Sequence, residues 1–317
     1  MSVGAYIVDG ATAHTATLDE ATQAIGGAAL VWVHFDGESE AVDQWLAARG
    51  IDHVVRSALL ASETRPRMDG VDGGAILNLR GPAAGPGEHP DLLASIRLWV
   101  TQGWVVSVTL RTLPALDATA KALLAGHVRD PGDLVSVLAM QITAELDPDV
   151  AALGDTLDDC EEIFSAANAL ALRRRIGRTR AKAIAYRRFV APQRIALERL
   201  AMVETGWLND DDRLHLREAA DRAARMAEEL EAIRERAALI HEQLTDLRAE
   251  LIETRTLVLS IAALVFLPLT FLTGLLGMNV EGIPFASEPW AFWGITVLCL
   301  VVAAGVAFYF IRARWFR

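Results

Sequence analysis

Two uncharged stretches near the C-terminus constrain this chain more than any other feature. Residues 257–276, LVLSIAALVFLPLTFLTGLL, run for 20 positions without a charge. A helix rising about 1.5 Å per residue covers about 30 Å over that length, one hydrocarbon core. Residues 290–311, WAFWGITVLCLVVAAGVAFYFI, are again uncharged, with Trp290, Phe292 and Trp293 at one end and Phe308, Tyr309 and Phe310 at the other. Aromatic residues at both ends of an apolar run match the interfacial belts of a membrane helix. The linker 277–289 holds Glu281 and Glu288 and no basic residue; Arg248 and Arg255 precede the first run, and Arg312, Arg314 and Arg317 follow the second. The excess of basic residues on the cytoplasmic side predicts two spans in the bacterial inner membrane, both termini inside, and a short external loop. A pair of buried core helices is the alternative reading of the same runs.

Composition outside those runs is that of a soluble protein. The chain has 317 residues, 52% apolar and 22% charged, with a net charge of −11. That balance argues against nucleic acid as a partner and suits cations. Cys160 and Cys299 lie far apart in sequence, no CxxC occurs, and both read as reduced thiols. The N-terminus lacks the basic-then-apolar order of a signal peptide.

The segment before the first span keeps strict heptad time. Leu216, Ala219, Ala223, Met226, Leu230, Ile233, Ala237, Ile240, Leu244, Leu247 and Leu251 are spaced three and four apart throughout. With Asn209 as a cap and Asp210–Asp212 at the positive end of the dipole, this predicts one helix over 210–276, about 100 Å long. Pro268 lies inside it and is expected to kink or loosen it. A second helical region, 147–203, is acidic first (Asp155, Asp158, Asp159, Glu161, Glu162) and basic later (Arg173 to Arg188). Charges of this kind predict solvated faces that pair with acids of the long helix. Residues 1–145 read as a cytosolic α+β domain, with strands over 29–36, 73–81 and 95–110, the last turning at Gln102 and Gly103. The predicted organisation is therefore 1–145, a long-helix stalk 146–255, a first span 256–277, a loop 278–289, a second span 290–311 and a basic tail 312–317.

No phosphate-binding, zinc-hydrolase or nucleophile-elbow motif occurs in the first domain, and the histidines show no ligand spacing. Asp36, Glu38, Glu40 and Asp43 form an acidic cluster that reads as a solvated helix start rather than an ion site. The chain gives no sign of an enzyme or of a cofactor.

The ending PLTFLTGLLGMNVEGIP, with two spans and a basic tail, resembles the CorA-type divalent metal ion transporters, whose hallmark is Gly-Met-Asn after the first of two C-terminal spans. ETRPRMDGVDGGAILNLRG (63–81), RLWVTQGWVVSV, YRRFVAPQR (186–194) and WAFWGITVL (290–298) resemble the ZntB zinc-transporter branch, so the likeness runs through nearly the whole chain. That branch often has Ile where Met278 stands. The resemblance implies a funnel-shaped homopentamer in the lipid bilayer, five first spans around a central pore and the second spans in an outer ring.

No Asp, Glu, His or Cys lies between Leu257 and Asn279. An ion on that path finds nothing to replace its water, so it travels hydrated. Gly277, Met278 and Asn279 would form the selectivity filter, with five Asn279 side chains holding the waters of the ion. Gly274 and Gly277 are expected to permit close approach and unusual backbone angles. Thr270, Leu267, Ala263, Leu259 and Thr256 share one helical stripe, and the resemblance implies that they line the pore. The leucines would gate by dewetting or simply pack. Glu281 and Glu288 would concentrate cations at the external mouth or be ordinary loop acids. Arg312, Arg314 and Arg317 would form an inner basic collar or only fix topology. An oxygen-lined path suits Mg2+; the resemblance points to Zn2+ as cargo, with Mg2+, Co2+ and Ni2+ tolerated, and to a link with protons, for which His241 and Glu281 are the candidates. A CorA-type magnesium channel and a non-conducting coiled-coil scaffold are the competing readings.

Overall fold

The structure is a computed structural model and describes residues 2–10, 12–37, 40–62, 65–71, 73–83, 93–165, 168–278, 283 and 288–312. The chain divides into two compact units, Met1–Glu242 and Gln243–Arg317.

The first unit opens with β1 (Ser2–Asp9), β2 (Thr12–Thr15), α1 (Leu18–Ala24), β3 (Leu30–Asp36), α2 (Glu40–Ala47), α3 (His53–Leu59), β4 (Arg67–Val71), β5 (Gly74–Pro82), β6 (Leu93–Thr101), β7 (Trp104–Thr109) and α4 (Pro114–Leu124). The strands form one sheet in the order β2-β1-β3-β7-β6-β5-β4. β3 and β7 pair in parallel, with Val33 opposite Val106; the other pairs are antiparallel. This is the α+β class read from the sequence. The turn at Gln102 and Gly103 is where it was expected: Thr101 faces Trp104, and Gly103 takes φ 81°, a conformation that costs glycine nothing.

Side chains alternate across the sheet, so its two faces bury different helices. Val31, Val33, Phe35, Val106 and Val108 form a core with Val42, Leu46, Val55 and Leu59 of α2 and α3. On the other face Gly81 of β5 sits against Leu113 and Ile142, where a Cβ would approach the first at 3.1 Å. Polar groups are stitched into that sheet. Trp32 Nε1 donates to Ser107 Oγ at 2.9 Å, and His34 Nδ1 lies 2.9 Å from the same oxygen. Burial pushes the His34 ring down to about 4, against the upward pull of Asp36 and Asp117, so the ring is neutral at pH 7.

Three long helices follow: α5 (Pro131–Glu162), α6 (Ala169–Met202) and α7 (Asp210–Leu276). Pro148 and Pro192 lie inside α5 and α6 without ending them. The sequence reads one helical region over 147–203; instead α5 already spans 147, ends at Glu162, and α6 starts anew at Ala169. The charged faces pair as a network. Arg187 of α6 meets Glu231 of α7 at 3.0 Å, while Arg175 meets Asp159 of α5. Arg236 of α7 bridges Asp158 and Glu161 of α5 at 2.7 and 3.0 Å. Asp158, Asp159 and Glu161 of the second helical region are thus met by basic residues of α6 and α7. The acidic cluster after β3 serves the helix start: Asp43 pairs with Arg56 at 3.0 Å, and Glu38 lies outside the described residues.

α7 begins where the sequence places it. Asn209 Oδ1 accepts from Asp212 N, and Asp212 Oδ2 accepts from Asn209 N, each at 3.0 Å, a reciprocal cap that satisfies two orphan donors. The heptad positions from Leu216 to Leu244 are buried, at about 1.5–3 kcal/mol for each large side chain. Leu247 is half-buried and Leu251 exposed, so the seam ends before the predicted last position. The second unit carries the later part of α7 and all of α8 (Ala291–Arg312).

Candidate ion pathway

α7 and α8 each hold an 18-residue window of mean hydropathy 2.3, none of it buried. Bare apolar helices of this length need a hydrocarbon surrounding. Their half-buried positions fall on single stripes. On α7 these are Leu257, Ile261, Ala262, Val265, Leu269, Leu272 and Leu276; on α8 they are Ala291, Ile295, Thr296, Cys299, Ala303 and Val306, with Phe310 more buried still. A groove of about 540 Å³ runs between the two helices, lined by Leu269, Thr273 and Leu276 with Ile295, Cys299 and Ala303 among others.

The five residues expected to line a pore all lie elsewhere on α7. Thr256, Leu259, Ala263, Leu267 and Thr270 are exposed, Leu259 at 71% and Leu267 at 69%. At 100° per residue their stripe points nearly half a turn away from the stripe facing the groove. The polar members are tied down internally. Thr270 Oγ1 donates to Phe266 O at 2.7 Å and Thr256 Oγ1 to Ile252 O at 2.9 Å. Ser260 and Thr273 bond back in the same way.

The motif after α7 is described only in part. Gly277 N donates to Thr273 O at 2.9 Å, and a Cβ at 277 would stand 3.0 Å from that carbonyl. The expected unusual backbone angles are absent: neither Gly274 nor Gly277 has a positive φ. Gly277 serves instead by leaving room over the last turn of the helix. Met278 is exposed at 49%. Glu288 and Arg312 are exposed, Arg312 at the end of α8. Asn279, Glu281, Arg314 and Arg317 lie outside the described residues. Of the two candidate proton carriers only His241 is described, half-buried on α7 within the first unit.

A family profile described as CorA-like Mg2+ transporter protein matches residues 27–312. The zinc transport protein ZntB of Pectobacterium atrosepticum is 30% identical over 286 residues, 90% of this chain and 87% of that protein. Among solved structures, full-length CmaX matches with a TM-score of 0.79 at 29% identity, over 98% of this chain and 97% of its own. The CorA magnesium transporter of Methanocaldococcus jannaschii matches with a TM-score of 0.82 at 15% identity, covering 99% of each chain, which speaks for a shared fold. With a match of this extent and two apolar C-terminal helices, the chain belongs to the CorA family of divalent metal ion transporters.

Proposed function

We propose that this protein is a zinc transporter of the bacterial inner membrane, working as a homopentamer with both termini in the cytoplasm. Five copies of α7 surround the pore, and hydrated ions pass a filter of Gly277, Met278 and Asn279. The observation that carries this reading is the position of Thr256, Leu259, Ala263, Leu267 and Thr270. All five sit on the α7 face turned away from α8, which is the face a ring of α7 helices has free for its axis. Because each threonine spends its hydroxyl proton on a backbone carbonyl, the outward oxygen offers lone pairs. Lone pairs accept from the water hydrogens of a hydrated cation. Leu259 and Leu267 form apolar rings between the hydroxyl rings and close the path by dewetting. Glu281 and Glu288 gather cations outside, Arg312, Arg314 and Arg317 form the inner collar, and uptake is linked to protons.

The names of relatives such as the Pectobacterium protein support zinc as cargo. A second reading, magnesium transport, draws support from the lining itself, which offers oxygen and no nitrogen or sulfur ligand. Flux into proteoliposomes with competing Zn2+, Mg2+, Co2+ and Ni2+ decides between them. Asn279→Ala with its oligomer intact is expected to lose zinc uptake. Undiminished uptake in that variant rejects the filter, and no uptake of any divalent ion by the unaltered protein leaves the scaffold.

A further inference from the structure

The N-termini of α5 and α7 meet in the first unit, and three carboxylates meet with them. One oxygen from each of Asp130, Asp133 and Asp212 lies within 4.8 Å of the other two. Capping accounts for part of this. Asp130 Oδ1 accepts from Asp133 N at 2.8 Å, and Asp212 Oδ2 accepts from Asn209 N at 3.0 Å. Asp133 Oδ2 takes the backbone and side-chain N–H groups of Arg129, both at 3.0 Å. A serine or asparagine would cap either helix as well, without three negative charges.

What capping leaves over is the other oxygen of Asp212. Asp212 is 0% exposed, and its Oδ1 is buried with no hydrogen-bond partner among the described residues. An unmet carboxylate oxygen at that depth is costly unless a cation reaches it. Arg129 is the basic residue paired at the cluster, and its side chain is 68% exposed and bonded to Asp133. Three carboxylates against one guanidinium leave the cluster two charges negative, the complement of a divalent ion. The backbone is shaped to match. Gly132 opens the first turn of α5 beside Asp212, and a Cβ there would fall 2.1 Å from Asp212 Oδ2 and 2.7 Å from Trp207 O. Only glycine lets the Asp212 carboxylate come so close to the start of α5.

We infer that Asp130, Asp133 and Asp212 bind a hard divalent cation of the magnesium class, held between the starts of α5 and α7. Every donor is an oxygen, from carboxylates or from the adjacent Trp207 carbonyl, so zinc, which favours nitrogen and sulfur, is the poorer fit. Metal–oxygen distances of about 2.1–2.5 Å let one ion, with retained water, reach oxygens spaced as these are. The ion is a resident of the cytosolic domain, distinct from the cargo, and the site stands whether or not the transported ion is zinc.

The test uses full-length protein in detergent, stripped with EDTA at pH 7.5, with Mn2+ as a paramagnetic probe and Mg2+ as competitor. The unaltered protein is expected to bind one more Mn2+ per chain than Asp212→Asn, displaceable by Mg2+; Asp211→Asn, altered at an exposed neighbour, is expected to keep it. Arg129→Gln takes the guanidinium off the Asp133 carboxylate and is expected to bind about fivefold tighter, the scale of one exposed ion pair. Equal Mn2+ stoichiometry in the unaltered protein and Asp212→Asn overturns the assignment. If Asp212→Asn does not fold, Arg129→Gln decides alone, and affinity unchanged or weakened there overturns it equally.

Discussion

His34 makes the first unit sensitive to mild acid, and the size of the effect follows from its surroundings. The ring is packed in the sheet beside Ser107 and Thr109, and burial holds it near 4 where a free histidine titrates at 6.5. The unfolded chain therefore binds a proton between those values while the folded chain does not. Stability rises with pH wherever the unfolded state holds more protons, so this contribution is intact above pH 6.5 and is lost as the pH falls toward 4. Two and a half units correspond to about 3.4 kcal/mol at the acid limit and about 2 kcal/mol at pH 5. His34→Gln keeps a hydrogen-bonding side chain and removes the titration. The variant and the unaltered protein are expected to differ little more at pH 7 than at pH 8. By pH 5 the variant gains about 2 kcal/mol relative to that baseline, roughly 4–8 °C in apparent Tm for a unit of this size. Intrinsic tryptophan fluorescence during thermal unfolding, from pH 5 to 8, reports it. A stability difference between the two proteins that stays flat across that range refutes the reasoning.

Thr270→Val keeps the shape of the side chain and removes the outward oxygen; zinc flux in proteoliposomes is expected to fall about tenfold with the oligomer unchanged on size exclusion, the worth of about one lost hydrogen bond. Leu230→Ala empties a fully buried heptad position and is expected to cost about 3 kcal/mol, lowering Tm by roughly 6–12 °C in a thermal melt. Arg236→Ala removes two ion pairs whose members are each about 40–64% exposed; a shift of under about 1 kcal/mol is expected in the same melt, because solvent screens such pairs.

Legibility in the sequence followed the range of the interactions involved. α7 could be bounded at both ends because its start signal, heptad seam and terminal glycine are all local. The same holds for the β6–β7 hairpin, whose turn needs only Gln102 and Gly103. β1, SVGAYIVD, escaped notice because glycine and alanine dilute its alternation, although Ala5 and Ile7 are buried as a strand requires. The parallel pairing of β3 with β7 joins residues more than seventy positions apart, and no local pattern announces it. The helical region read from Asp147 to Val203 is in fact two helices, because the buried positions of α5, Leu146, Val150 and Leu153 among them, run on through 147 from an earlier start and stop at Glu162. On α7 the shared stripe of Thr256, Leu259, Ala263, Leu267 and Thr270 was legible through helical period, while a role for it came only from the resemblance. The aspartates at the start of α5 and α7 were not, since the fold brings Asp212 to Asp130 and Asp133 from a distant part of the chain.

Pro268 carries a consequence for the company α7 must keep. Having no amide hydrogen, it removes the donor that the Leu264 carbonyl would find one turn on. In water that loss is small, but within hydrocarbon a bare carbonyl costs several kcal/mol. A lone α7 wrapped in acyl chains would bear that cost in full, whereas a neighbouring helix or a column of water can meet it. The missing rung thus gives this span a reason of its own to keep a helix or a file of water at its side.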